Sequence, residues 1–300
     1  MSAQIQYKSK VADIVPVKTR SRSAEIWRRL KKNRGAVISL FIISCLVLGA
    51  LLADVLFDYD TVVVKTSIAN RLQSPSWAHL FGTDELGRDI LARVVHGSRV
   101  SLMVGFVATL MGSIVGTIFG SLAGYYGGRT EDIIMRIADV FIAIPMILLA
   151  IVVVSAMGQG VFNLMIAIAI CSIPRFIRVV RAAVMTIRNN EYVEAERAIG
   201  TKDGSIILFT ILPNCVAPIL VQATLYIATA IISVSAMSFI GLGVPAPMPE
   251  WGSMLSAGRM FLRSYSYMTI FPGLAIMLTI LSFNMLGDGF RDALDPKLKR

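Results

Sequence analysis

Few residues in this sequence could do chemistry, and they are scattered. His79 and His96 stand apart from each other and from any candidate nucleophile, so neither a metal site nor an imidazole base has the company it needs. Cys45, Cys171 and Cys215 lie in apolar runs with no CxxC pair, which reads as buried thiols rather than ligands or disulfides. No HExxH or GxSxG occurs, and the dipeptide Gly-Lys is absent, so no P-loop is present. What remains is the chemistry of recognition, concentrated in EYVEAERAIGTKDGSIILFTILPN at 191–214.

That stretch reads as a short helix, a sharp turn and a second helix. Tyr192, Ala195 and Ile199 share one face of the first, with Glu191, Glu194 and Arg197 on the opposite arc. Glu191 and Glu194 fall in the first turn, at the positive end of the helix dipole. Gly200 follows the last periodic residue and suits a left-handed cap, and Thr201 is expected to cap the next helix. Two readings follow from the residues alone: an interfacial helix with its apolar face on lipid, or a docking helix gripped by a cytoplasmic partner.

The elements that must position this stretch are membrane spans. Of 300 residues 55% are hydrophobic and 16% charged, with a mean hydropathy of +0.70. A soluble domain carries about 25% charged residues. Six runs, at roughly 36–57, 100–124, 136–157, 161–180, 211–240 and 267–287, are long and apolar enough to cross a bilayer. Thirty-four residues precede the first strongly apolar run, so it is expected to be a retained span rather than a cleaved signal. Pro213 and Pro218 predict a tilt or kink in the fifth, and Arg175 and Arg178 are placed in the last two turns of the fourth, within reach of headgroups.

Charge sets the expected orientation. With the N-terminus inside, Lys and Arg number ten in 1–35, two in 125–136, six in 175–210 and four in 288–300, against five in 58–99 and two in 242–266. Twenty-two inside against seven outside places both termini and the 191–214 stretch in the cytoplasm. The net charge of +10 therefore describes topology and anionic headgroups, with WRRLKKNR at 27–34 as an anchor, and no nucleic-acid partner is expected. The organisation read from these runs is a basic cytoplasmic segment (1–35), a first span with an extracytoplasmic loop (36–99), a five-helix core (100–290) holding the 175–210 loop, and a cytoplasmic tail (291–300).

Three further motifs each admit two readings. GTDELGRD at 82–89 could gather Asp84, Glu85 and Asp89 for a metal or for acid–base work. The simpler reading is an interfacial helix capped by Thr83 or Asp84, with Ile90, Leu91, Val94 and Val95 towards the membrane and Arg88, Asp89 and Arg93 in water or paired. VPAPMPEWG at 244–252 is either a rigid connector or a docking or gating element, with Trp251 at the membrane interface. In GDGFRDALDPK the acids Asp288, Asp292 and Asp295 alternate with Arg291 and Lys297, with Lys299 just beyond, as a solvated tail does and a cation site does not.

The 191–214 stretch resembles the cytoplasmic signature of permease subunits of binding-protein-dependent ABC importers. Glu194-Ala195-Glu196, Gly200 and Leu212-Pro213 keep its spacing; Glu196 in place of a second Ala, and Thr210 where an apolar residue or His is usual, depart from it. GTDELGRDILARVVHGSRVSL, AGYYGG, PEWGSML, FPGLAI and GDGFRDALDPKLK are similar to the dipeptide, oligopeptide and nickel branch, and within it to the second permease subunit. The resemblance implies an all-α, six-span Type I permease fold in a bacterial inner membrane. It implies a homologous second permease, two cytoplasmic ATPases that bind ATP and Mg, and an extracytoplasmic solute-binding protein, with no cofactor on this chain. Tyr192, Glu194, Ala195, Glu196, Ile199, Gly200, Leu212 and Pro213 would then form the loop that couples to an ATPase, and small peptides would be the cargo, with nickel chelates, glutathione or another small solute as alternatives. The route would run between the permeases, with Gln222, Tyr226, Ser233 and Asn284 as candidates to line it. A self-contained secondary transporter would need ionisable relays near span centres, which spans two to six lack.

Overall fold

The computed structural model describes residues 22–294; the first 21 residues of the basic segment and positions 295–300 of the expected tail lie outside the described residues. The architecture is a bundle of helices. We number them α1 (Arg22–Lys32), α2 (Arg34–Leu51), α3 (Ile90–Tyr126), α4 (Gly128–Ala143), α5 (Met146–Met157), α6 (Val161–Ile187), α7 (Glu191–Ala198), α8 (Leu212–Phe239), α9 (Trp251–Gly258) and α10 (Tyr267–Leu294). No strand forms among the described residues, and a single β-bridge joins Thr83 to Asp89.

Five helical stretches are individually long and apolar enough to cross a membrane: α2, α3, α6, the run Asp203–Phe239 that contains α8, and α10. The third expected span is not one helix. It breaks into α4 and α5, whose axes bend by 92°. Ile144 takes an extended backbone (φ −86°, ψ 127°) because the ring of Pro145 disfavours the helical region for the residue before it.

Other boundaries also move. α3 begins at Ile90, so the division expected between 99 and 100 falls inside a helix, and α10 continues past 291 to Leu294. α6 runs on to Ile187, so Arg175 and Arg178 sit in its interior rather than in its last turns, the loop that follows is shorter than 175–210, and the expectation of spans without ionisable residues near their centres fails for α6. Ahead of α8, residues Ile206–Ile211 form a π-helical turn in which Leu212 N–H reaches back five residues to Ile207. The wider turn lies just before Pro213, whose ring would crowd a carbonyl four residues back in an ordinary helix.

The bundle is held at its centre by close backbone approach. Gly112, Gly116, Gly120 and Gly124 recur every fourth residue along α3 and face α6. A Cβ on Gly116 would lie 2.3 Å from Phe176 Cβ, and one on Gly120 would lie 2.8 Å from the Ile177 carbonyl. Without side chains there, the two helices pack with dispersion contacts that larger residues would prevent. Around this seam Val104, Leu164, Ile168, Phe176, Tyr226, Val234 and Met237 form the buried core. Cys171 and Cys215 are buried as expected, whereas Cys45 is exposed on the outer face of α2.

Candidate functional site

The 191–214 stretch folds as a helix–turn–helix knob at one end of the bundle. α7 occupies Glu191–Ala198, with Glu191 and Glu194 in its first turn. Its end is closed in two bonds, Gly200 N–H to the Arg197 carbonyl and Thr201 N–H to the Glu196 carbonyl, both 3.0 Å. This double closure needs a left-handed residue at the turn, and Gly200 supplies it at φ +83°. No atom lies within 4 Å of where a Gly200 Cβ would stand, so the demand for glycine is conformational and not steric. The next helical residues begin after Lys202, so Thr201 does not take the capping position expected of it.

The side of α7 that faces the bundle is not the side an apolar count selects. Val193 is completely buried, packed with Tyr125, Val180, Val184, Ile206 and Ile207. Tyr192, Ala195 and Ile199 point away from the chain, and Ile199 is 80% exposed. Polar contacts fix the orientation. Arg197 Nε donates to the Tyr125 hydroxyl at 3.3 Å, its guanidinium lies 4.9 Å over the Tyr125 ring, and that hydroxyl donates to Asp203 Oδ1 at 2.7 Å. Arg188 Nη1 donates to the Gly124 carbonyl at 2.8 Å, tying the start of the knob to the end of α3. Periodicity could not reveal Val193 or Tyr125, because one apolar residue among polar neighbours has no pattern.

Glu196 and Thr210, the two residues that depart from the signature, are partners: Thr210 Oγ1 donates to Glu196 Oε1 at 2.7 Å. The bond joins α7 to the π-helical turn below it, so the two departures make one cross-link. Leu212 is half-buried against the same cluster as Val193, and Pro213 opens α8 beside it.

Of the residues named for a route, Tyr226 and Ser233 come together. Both hydroxyls lie against Met146 Sδ, at 3.8 and 3.6 Å, and both residues are buried. Gln222 is half-buried on α8, and Asn284 is exposed on α10.

At the opposite end the charged motif closes on itself. GTDELGRD forms a loop rather than a helix: Asp84 Oδ1 accepts from the amides of Leu86 and Arg88, both at 2.9 Å, and Oδ2 accepts from Arg88 Nε at 2.7 Å. The helix starts later, capped by Asp89, which accepts from Ala92 N–H at 2.9 Å and also meets His79 Nδ1 at 2.9 Å. Ile90, expected to face the membrane, is buried beside Met254 and Met268. Arg93 is buried too, donating to the Val63 carbonyl at 3.1 Å. Trp251 is not at an interface; it is fully buried and donates to the Val94 carbonyl at 2.9 Å. Glu250 is equally buried and caps α9 by accepting from Gly252 and Ser253 N–H. Burial pushes its carboxyl above the usual range, against hydrogen bonds that favour the charged form.

Comparison with known proteins places this architecture. Residues 116–300 match the family described as binding-protein-dependent transport system inner membrane component, and residues 21–75 match the N-terminal TM domain of oligopeptide transport permease C. The chain belongs to the binding-protein-dependent transport permeases. Among relatives of this permease, a dipeptide transport system permease protein DppC of Alkalihalophilus pseudofirmus is 50% identical over 92% of this chain and 90% of its own. A DppC of Haemophilus influenzae is 42% identical over 92% and 95%, and a glutathione transport system permease protein GsiD of Escherichia coli is 43% identical over 95% and 94%. The MetNI methionine ABC transporter, solved in inward-facing conformations, shares the permease fold at a TM-score of 0.56 and 20% identity, covering 69% of this chain and 98% of that one.

Proposed function

We propose that this permease carries small peptides into a bacterial cell, driven by ATPase subunits that grip α7. The observation that carries the reading is the form of the knob. Its apolar residues Tyr192, Ala195 and Ile199 are turned outward while Val193, Arg197 and Glu196 bind it rigidly to the bundle. The outward apolar face alone would suit lipid as well as a partner; the rigid mount beneath it, which a helix resting on lipid does not require, favours docking. The 22-to-7 bias of basic residues puts that face in the cytoplasm, where ATPases work. The dipeptide permeases among its relatives favour a peptide cargo, and the glutathione permease, whose named cargo is itself a small peptide, keeps the same class.

In this mechanism a second, homologous permease completes the pore and a solute-binding protein delivers the cargo from outside. Closure of two ATPases on ATP and Mg displaces α7, the spans rearrange to open outward, and hydrolysis resets the inward state. The chain carries no P-loop, since no Gly-Lys dipeptide occurs in it, and the ATPase subunits would supply one. Mild-detergent purification of the tagged chain from its native membrane, with mass spectrometry of its companions, tests this. An ATPase bearing a P-loop and a second six-span chain are expected, and ATP-driven uptake of a labelled dipeptide after reconstitution. A solitary chain, or a complex idle towards peptides, would overturn the proposal.

A further inference from the structure

Two features of one side of the bundle are incompatible with lipid. The first is the elbow between α4 and α5. Residues 141–145 are all exposed, and the last carbonyls of α4 and first amides of α5 lack helical partners there. Its depth is fixed by its neighbours. The Met146 carbonyl accepts from Cys171 Sγ at 3.6 Å, and Met146 Sδ meets Tyr226; Cys171 and Tyr226 are both far from the ends of their own helices. Irregular backbone at such depth is tolerated only when protein covers it or water fills the space beside it.

The second feature is Arg175, one turn from Cys171 on the same face of α6 and exposed. The two other arginines of α6 are satisfied, Arg178 by Asp139 at 2.6 Å and Arg181 by Glu131, and Arg188 just past its end binds the Gly124 carbonyl. Arg175 has no carboxylate within 4.0 Å among the described residues, and its guanidinium lies 5.8 Å from the centre of the Tyr226 ring. Tyr226 thus touches the elbow through its hydroxyl and Arg175 through its ring, so both features belong to one side. An unpaired guanidinium inside a span faces the bundle interior or an aqueous cavity.

We propose that this side lines the translocation route and that Arg175 binds the side-chain carboxylate of acidic peptides in passage. The guanidinium fork matches a carboxylate in two parallel bonds, and the Tyr226 ring holds it in place without neutralising it. The inference rests on the peptide-import reading above. Headgroup phosphate presents the same oxygen pair, so the test must separate a cargo from a lipid.

The full importer, with its binding protein, is reconstituted with wild-type chain, Arg175→Lys, Arg175→Gln or Arg175→Glu, and maximal uptake rates of Ala-Asp and Ala-Lys are compared. The binding protein is the same throughout, so a change in the ratio of the two rates belongs to the permease, and a mere folding defect lowers both alike. Arg175→Glu is expected to shift the ratio against Ala-Asp by about tenfold, Arg175→Gln by less, and Arg175→Lys to preserve it. A ratio that stays within about twofold of wild type in Arg175→Glu overturns the proposal. Absence of ATP-driven uptake of either peptide by the wild-type complex would instead defeat the import reading, and the inference with it. Should Arg175→Glu fail to assemble, Arg175→Cys in a chain with Cys45, Cys171 and Cys215 replaced by Ser is probed with a water-soluble methanethiosulfonate. Reaction slowed by Ala-Asp supports a route position; no reaction, or reaction indifferent to ATP and peptide, marks a headgroup contact and overturns it.

Discussion

The two ends of this bundle use the charged residues of their motifs in opposite ways. At the end made by 57–89 and 242–266, Asp84 closes on Arg88, Asp89 caps α3, Glu250 caps α9, and Trp251 and Ile90 disappear into the interior. At the end that carries α7, the charges of Arg197, Asp203 and Glu196 are spent on orienting the knob, and Tyr192 and Ile199 are left outside. At the first end these motif residues are satisfied within the chain, although Ile68, Trp77 and Met260 beside them stay exposed; at the second, the apolar face of α7 proposed to dock is left outside. Buried groups at the first should therefore govern stability, and exposed ones at the second should govern coupling.

The comparison breaks most readily at Trp251. Trp251→Ala is expected to cost about 3–5 kcal/mol, through lost burial and the lost bond to the Val94 carbonyl, and to lower the thermal midpoint of the detergent-solubilised chain sharply. Ile199→Ala, at the opposite end, should leave that midpoint within about 0.5 kcal/mol of wild type while lowering peptide-stimulated ATP turnover in the reconstituted complex. Equal stability losses at the two sites would erase the distinction.

Gly200→Val comes next. A β-branched residue held at φ +83° costs roughly 1–2 kcal/mol, with no clash to add because the space around it is open. The chain should still insert in the membrane but uncouple uptake from ATP; unchanged uptake would mean the turn does not transmit motion. Smaller again is the link between Glu196 and Thr210. A double-mutant cycle of Glu196→Ala and Thr210→Val should show a coupling of about 1 kcal/mol in chain stability. Additive losses would show that the bond does not join α7 to the turn below.

The last is a slope and not a step. The Glu250 carboxyl is raised by burial, so in the folded chain it is protonated more readily than when unfolded. Its ionisation then works against folding, and stability should fall as pH rises above the ordinary carboxyl value of 4.5 through the raised one. Glu250→Gln should flatten that part of the difference between the two pH profiles. Parallel wild-type and variant profiles from pH 4 upward would remove Glu250 from the account.

Much of this architecture was legible in the sequence because bilayer spans are read from composition, and long uncharged runs have few other uses. The Gly200 turn was legible too, since a left-handed cap has a residue preference. What composition hides is direction. The helical wheel grouped Tyr192, Ala195 and Ile199 correctly, yet only the packing of Val193 against Tyr125 and Ile206 shows that this group points outward. Pro145 lay inside an apolar run whose hydropathy continues across it, so the break was concealed by the very signal that identified the span. GTDELGRD offered Thr83 or Asp84 as the cap, and the sequence does not show that Asp84 is occupied by Arg88 and two amides, which leaves the capping to Asp89.

The glycine seam between α3 and α6 has a mechanical meaning. Two helices in backbone contact at Gly112, Gly116, Gly120 and Gly124 bend less than either would alone, and together they form a beam. α6 is 27 residues long, roughly 40 Å, with the α7 knob at one end and the α5 turn at the other. A load applied at the proposed docking knob would travel along that beam and be taken up where no such seam stiffens the chain, as at the elbow of α4 and α5.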